Sequence, residues 1–162
     1  MVTIRKAKVA DAEEIRALIE PFAARDEMLP RSLGEICENL RDYFVAEEDG
    51  RVVGCCALHI DTPELAEVKA LAVAEDVQGR GIGRALVNAC IQEAAELGLA
   101  RVFALTYRPR FFERFFQFRL VEKNTLPNKV WNECIYCPKF PSCGEEALVL
   151  ELRPSPVKEA AG

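Results

Sequence analysis

Long apolar runs are missing from this chain. No window of its 162 residues reaches the roughly 20 consecutive apolar residues that a membrane-spanning helix needs. The opening Met1-Val2-Thr3-Ile4-Arg5-Lys6 has no apolar stretch behind its charges, so it does not read as a secretion signal, and a cytoplasmic location is expected. An excess of positive charge is missing as well. The 21 Lys and Arg stand against 26 Asp and Glu, a net charge of −5, which disfavours nucleic acid or an anionic membrane as the main partner. Seven cysteines is an odd count without a signal, and that argues against a disulfide framework. Cys55, Cys56 and Cys90 stand inside apolar segments and read as small buried hydrophobes, with Cys37 as another.

Half of the residues are apolar, enough for one domain with a real core. That domain is expected over residues 1–153, followed by a disordered tail over 154–162. There is no internal repeat. Val2 to Arg5 reads as a strand, and Asp11 as the N-cap of a helix carrying Ile15, Leu18 and Ile19, interrupted from Pro21. Ser32-Leu33-Gly34-Glu35 is a capping box opening a second short helix through Leu40. Phe44–Glu47 and Val52–His59 flank Glu48-Asp49-Gly50 as a hairpin. Glu67 to Val73 is the next strand. Ile82, Leu86, Ala89, Cys90, Glu93 and Leu97 recur at helical spacing, and Gly98 ends that helix. Val102–Leu105, a short aromatic helix from Pro109 and a closing strand Ala147–Leu152 complete a β-α-α-β-β-β-α-β-α-β order.

The most informative segment is Gln78-Gly79-Arg80-Gly81-Ile82-Gly83-Arg84, between a strand and a helix. Alternating glycines remove Cβ from a turn whose amides must approach something closely, and the following helix adds the positive end of its dipole. The expected guest is an anion, with pyrophosphate the best match. Arg80 and Arg84 are placed to add charge-assisted bonds to it. The run is neither G-x-G-x-x-G nor a G-K-S/T loop.

Gln78, Gly81 and Gly83 do fit Q/R-x-x-G-x-G/A, and on this motif the chain resembles the GNAT superfamily of acyl-CoA N-acyltransferases. The resemblance implies an α/β (α+β) fold, a mixed central sheet flanked by helices, and a loop of Gln78, Gly79, Arg80, Gly81, Ile82, Gly83 and Arg84 that holds the pyrophosphate of acetyl-CoA. It also implies that the amides of Leu71, Ala72 and Val73 bond the pantetheine arm and the oxyanion, on a strand splayed from the next. Phe112, in the phenylalanine-rich helix, is expected against the pantetheine or in the core.

Acetyl transfer to an amine needs a base. Glu67 precedes the coenzyme loop on the same strand, and the resemblance gives a glutamate there that role; the alternative is an exposed strand carboxylate beside Lys69. His59, the single histidine, is the second candidate, since imidazole suits proton transfer at neutral pH. The N-x-x-A-x-x-x-Y pattern that supplies the family's thiolate-protonating tyrosine is absent. Tyr107 is the nearest phenol, and Gln117 stands where the family usually has glycine.

Further segments, including Leu29–Glu35, Val53–His59, Leu65–Val73 and Thr106–Glu113, resemble the short stand-alone N-acetylglutamate synthases of bacterial arginine biosynthesis. That resemblance implies L-glutamate as the acceptor, whose two carboxylates call for cations. Arg31, Lys69, Arg108 and Lys129 are the candidates. Cys134-x-x-Cys137, followed by Cys143, has metal-ligand spacing but no nearby histidine, and is read as a reduced, metal-free loop. A homodimer stays open. So do transfer to another small amine or a protein N-terminus, and a non-catalytic coenzyme A sensor.

Overall fold

The computed structural model describes residues 1–127 and 144–152. Lys129, Cys134, Cys137, Cys143 and the 154–162 tail lie outside them. A seven-stranded mixed sheet of order β1-β2-β3-β4-β5-β7-β6 organises the domain, and the chain divides into two compact units.

The first unit comprises Met1–His59 and Val68–Glu93. In it β1 (Val2–Lys6) pairs antiparallel with β2 (Tyr43–Glu48), and β2 with β3 (Arg51–Thr62). Asp49 and Gly50 turn the hairpin with φ of 52° and 78°, the primed geometry that an Asp-Gly pair favours. Between β1 and β2 the chain forms α1 (Ala12–Ala24) and α2 (Leu33–Glu38). Ser32 caps α2, its Oγ accepting from the Glu35 amide at 3.1 Å. Ile15, Ile19 and Ile36 bury completely or nearly so against Tyr43, Val45, Val52 and Ala57, each isoleucine contributing about 1.5–3 kcal/mol by transfer from water.

Three expectations need correction in this unit. Pro21 does not end the first helix, because α1 runs through it to Ala24. The lost amide costs about 3 kcal/mol, offset by Leu18, Phe22 and Ala23 packing on the core. Asp11 sits at the helix boundary without capping it; its buried carboxylate instead takes a fork from Arg5 at 2.8 and 3.1 Å and the Lys8 amide at 2.7 Å. The Arg5 bonds hold that carboxyl below its usual range, against the effect of burial. Cys37 is exposed, unlike Cys55, Cys56 and Cys90. Burial pushes the Cys55 thiol up to about 12, so it stays protonated and inert at neutral pH.

The second unit comprises Ile60–Glu67 and the chain from Ala94. The first residues of β4 (Leu65–Val73) pair parallel with β5 (Arg101–Thr106), which pairs antiparallel with β7 (Glu146–Glu151), and β7 with β6 (Arg119–Val121). Leu65, Phe103, Leu126, Ala147 and Val149 form its core. The short β6 has no counterpart in the expected order, and α3 (Ile82–Glu96) stops before Leu97, which is 56% exposed and not on the apolar stripe.

The aromatic helix α4 (Pro109–Phe116) ends on Gln117 at φ 62°, ψ 30°. A left-handed C-cap suits glycine, and a side chain there costs about 1–2 kcal/mol. Gln117→Gly, discounted for the freer unfolded chain, is expected to raise Tm by about 1–4 °C in a thermal melt.

Candidate active site

The glycine run takes the conformation its composition calls for, although not at every glycine. Gly79 and Gly81 have φ of +83° and +84°, a region that L side chains resist. Gly83 lies within α3, which begins at Ile82, and has no such angle. The Gln78 side chain ties the loop to the strand before it, its Nε2 donating to the Val73 carbonyl at 3.0 Å. Arg80 pairs with Glu48, and Arg84 falls in the first turn of α3. The exposed loop and the amino end of a 15-residue helix thus present amides and positive dipole together.

Behind the loop, Gly54 on β3 faces the start of α3. A Cβ at Gly54 would lie 2.9 Å from Leu86 Cδ1, 3.2 Å from Ile82 Cγ2 and 3.4 Å from the Ala72 carbonyl. The absent side chain lets the helix that carries the loop pack close to the sheet.

The strand that enters the loop is irregular. Ala70 has φ 58° in the middle of β4, a conformation costing about 1–3 kcal/mol for a non-glycine residue and typical of a bulge. Two thiols on β3 bond the disturbed stretch: Cys55 Sγ to the Ala70 carbonyl at 3.4 Å, and Cys56 Sγ to the Lys69 carbonyl at 3.6 Å. The Ala74 amide donates to Val53 of β3 at 2.8 Å. Strand amides alternate sides, so those of Leu71 and Val73 point away from β3. By the same alternation the Ala72 amide is turned toward β3.

Among the described residues, the parallel ladder between β4 and β5 covers only Leu65↔Arg101, Ala66↔Val102 and Glu67↔Phe103. Both strands continue beyond it, to Val73 and Thr106. Glu67 is the last β4 residue in the ladder, and at 9% exposure it is buried, not the exposed strand carboxylate of the alternative reading. Lys69 is half-buried.

His59, near the far end of β3, is held by a residue that the sequence did not single out. Its Nδ1 lies 2.7 Å from Asp42 Oδ2. A carboxylate only accepts, so Nδ1 carries the proton and Nε2 is the basic nitrogen of the neutral ring. Nothing in the spacing links Asp42 to His59, 17 residues apart, because the hairpin register alone brings them together.

Arg31 precedes α2 with its side chain only 8% exposed, and its Nη1 donates to Glu35 Oε2 at 2.8 Å. Its charge also reaches the buried Tyr43 phenol, which burial pushes well above its ordinary value while Arg31 opposes the shift. In the second unit Tyr107 is 37% exposed, close enough to Gly144 that a Cβ there would meet its ring at 3.6 Å. Arg108 is exposed, its amide donating to Thr106 Oγ1 at 2.9 Å. Phe112 is buried within edge-to-face contacts to Phe111 and Phe118, at 5.2 Å each. No group of three or more His, Cys, Asp or Glu among the described residues is arranged to hold a metal ion. No helix among them is long and apolar enough to cross a membrane.

Known proteins are similar to this chain in sequence and fold. The profile of the Acetyltransferase (GNAT) family matches residues 9–118. An uncharacterized N-acetyltransferase of Chlorobaculum tepidum is 42% identical over 92% of this chain and 96% of its own length. An amino-acid acetyltransferase of Mycobacterium tuberculosis is 35% identical over 80% of this chain and 75% of its own. Among solved structures, the N-acetylglutamate synthase of Neisseria gonorrhoeae complexed with coenzyme A and N-acetyl-glutamate superposes with a TM-score of 0.86 at 27% identity. It covers 95% of this chain, which spans 36% of that longer one. With the family profile on the same segment as the glycine loop and the irregular β4, the chain belongs to the GNAT acetyltransferase family and is an N-acetyltransferase that takes its acetyl group from acetyl-CoA.

Proposed function

We propose that the acceptor is the α-amino group of L-glutamate and that the products are N-acetylglutamate and coenzyme A. The observation that carries this reading is the likeness, over 95% of the chain, to an N-acetylglutamate synthase complexed with coenzyme A and N-acetyl-glutamate. The 35% identity to an amino-acid acetyltransferase supports it. So does Arg31, a guanidinium withdrawn from solvent, of the kind that matches a carboxylate with a fork of bonds. Lys69 and Arg108 are the further cations for the two carboxylates of glutamate.

The chemistry is direct attack in a ternary complex. Glu67 takes the proton from the substrate ammonium, with His59 as the second candidate. The amine adds to the thioester carbonyl, and the amides of Leu71 and Val73 hold the pantetheine arm and the oxyanion. Collapse of the intermediate expels the coenzyme thiolate, protonated by Tyr107 or water. The loop from Gln78 to Arg84 anchors the pyrophosphate throughout.

The test is coenzyme A release from acetyl-CoA against a panel of amino acids and polyamines. Turnover confined to glutamate is the expected result. Preference for another amine removes the glutamate assignment and leaves the family chemistry standing, whereas binding without turnover favours a sensor.

A further inference from the structure

The coenzyme loop carries a cation whose charge is already taken. Arg80 stands between the two left-handed glycines, and its guanidinium reaches back to the end of β2. There Nη1 donates to Glu48 Oε1 at 3.1 Å and Nη2 to Glu48 Oε2 at 2.6 Å. Glu48 lies opposite Arg51 across the hairpin turn, and Arg51 forms a second fork with Asp76, both arms at 3.0 Å. Asp76 is two residues before Gln78. Two arginines and two carboxylates therefore flank the loop in alternation, and their charges sum to zero. Glu48 is the most enclosed of the four, with 19% of its side chain exposed against 47% for Arg80 and 54% and 62% for Arg51 and Asp76.

One guanidinium edge cannot lay the same fork on a carboxylate and on a phosphate at once. An anion entering the cradle meets the amides and the helix terminus, while Arg80 faces Glu48. The carboxylate itself lies one side-chain length from the loop and repels the incoming charge. We propose that Glu48 sets the affinity for the phosphates of the coenzyme by holding Arg80 away from them. It is a positioning residue, acting through Arg80. The pairing keeps the coenzyme on backbone contacts, which favours release of the spent cofactor over tight retention.

The experiment measures coenzyme A affinity by calorimetry, and KM for acetyl-CoA, in the full chain and in Glu48→Gln, Arg80→Ala and the double variant, between about 0.05 and 0.5 M salt. Glu48→Gln is expected to tighten binding about threefold to tenfold at low salt, with the gain shrinking as salt is raised. In the Arg80→Ala background the same change gives a smaller gain, the coupling that identifies Arg80 as the route. Weaker or unchanged binding in Glu48→Gln at low salt overturns the proposal, since a pair that merely splints the loop gives that result. A gain of equal size in both backgrounds overturns the role of Arg80.

Discussion

Glu67→Gln is expected to lower kcat by about 100- to 10,000-fold at neutral pH, the range that a positioned base contributes. The substitution keeps the size and shape of a side chain that is 9% exposed and removes only its ability to take a proton. A buried amide still forms hydrogen bonds, so the fold should survive, and an unchanged circular-dichroism melt beside the lost turnover separates chemistry from unfolding. The competing base makes an opposite forecast. If His59 takes the proton, Glu67→Gln retains its rate while His59→Gln loses it, and Asp42→Asn, which replaces the charged acceptor 2.7 Å from the imidazole by a neutral amide, shifts the pH profile of kcat/KM. Wild-type turnover in Glu67→Gln eliminates Glu67 from the mechanism.

The second large effect is structural. Gly54→Val puts two methyl groups beyond a Cβ that already stands 2.9 Å from Leu86 Cδ1 and 3.2 Å from Ile82 Cγ2. Leu86 is fully buried and Ile82 nearly so, so neither side chain has open space to enter. Overpacking of this kind costs about 1–3 kcal/mol, and occasionally more, which is a fall of about 2–12 °C in Tm for a chain of this size. Because Ile82 is the first residue of α3, displacement of that turn also disturbs the amides of the cradle, and KM for acetyl-CoA is expected to rise. A variant with wild-type Tm would mean that the first turn of α3 yields without cost.

Where sequence revealed structure, the local chemistry had one dominant outcome. Alternating glycines before a helical stripe specify a turn and a helix start, and Ser32 with Glu35, or Asp49 with Gly50, specify a cap and a hairpin. Where it did not, the deciding interaction was distant or the residue carried no local signal. Alanine is no marker of a left-handed angle, so the bulge at Ala70 was illegible, and with it the fact that Cys55 and Cys56 bond its disturbed carbonyls. Pro21 read as a stop because its missing donor is visible in the sequence and the packing that offsets it is not. Arg119-Leu120-Val121 is too short and too exposed to show strand alternation. In the site, the glycine loop was legible as a left-handed turn into the amino end of a helix. The Glu48–Arg80 and Asp42–His59 pairs were not, since the hairpin register brings Asp42 to His59 and the return of the chain through β4 brings Arg80 to Glu48.

The two left-handed glycines of the loop carry a consequence for handedness. A Cβ built on Gly79 or Gly81 meets nothing within 4 Å, so the protein does not crowd these positions. What excludes an ordinary side chain there is chirality, because an L residue resists the positive φ that its mirror image prefers. A D-alanine introduced by chemical ligation would keep the turn, its methyl group replacing the Cα hydrogen that an L residue retains. The difference in Tm between that variant and its L-alanine counterpart would then report how much of the loop's demand for glycine is chirality alone.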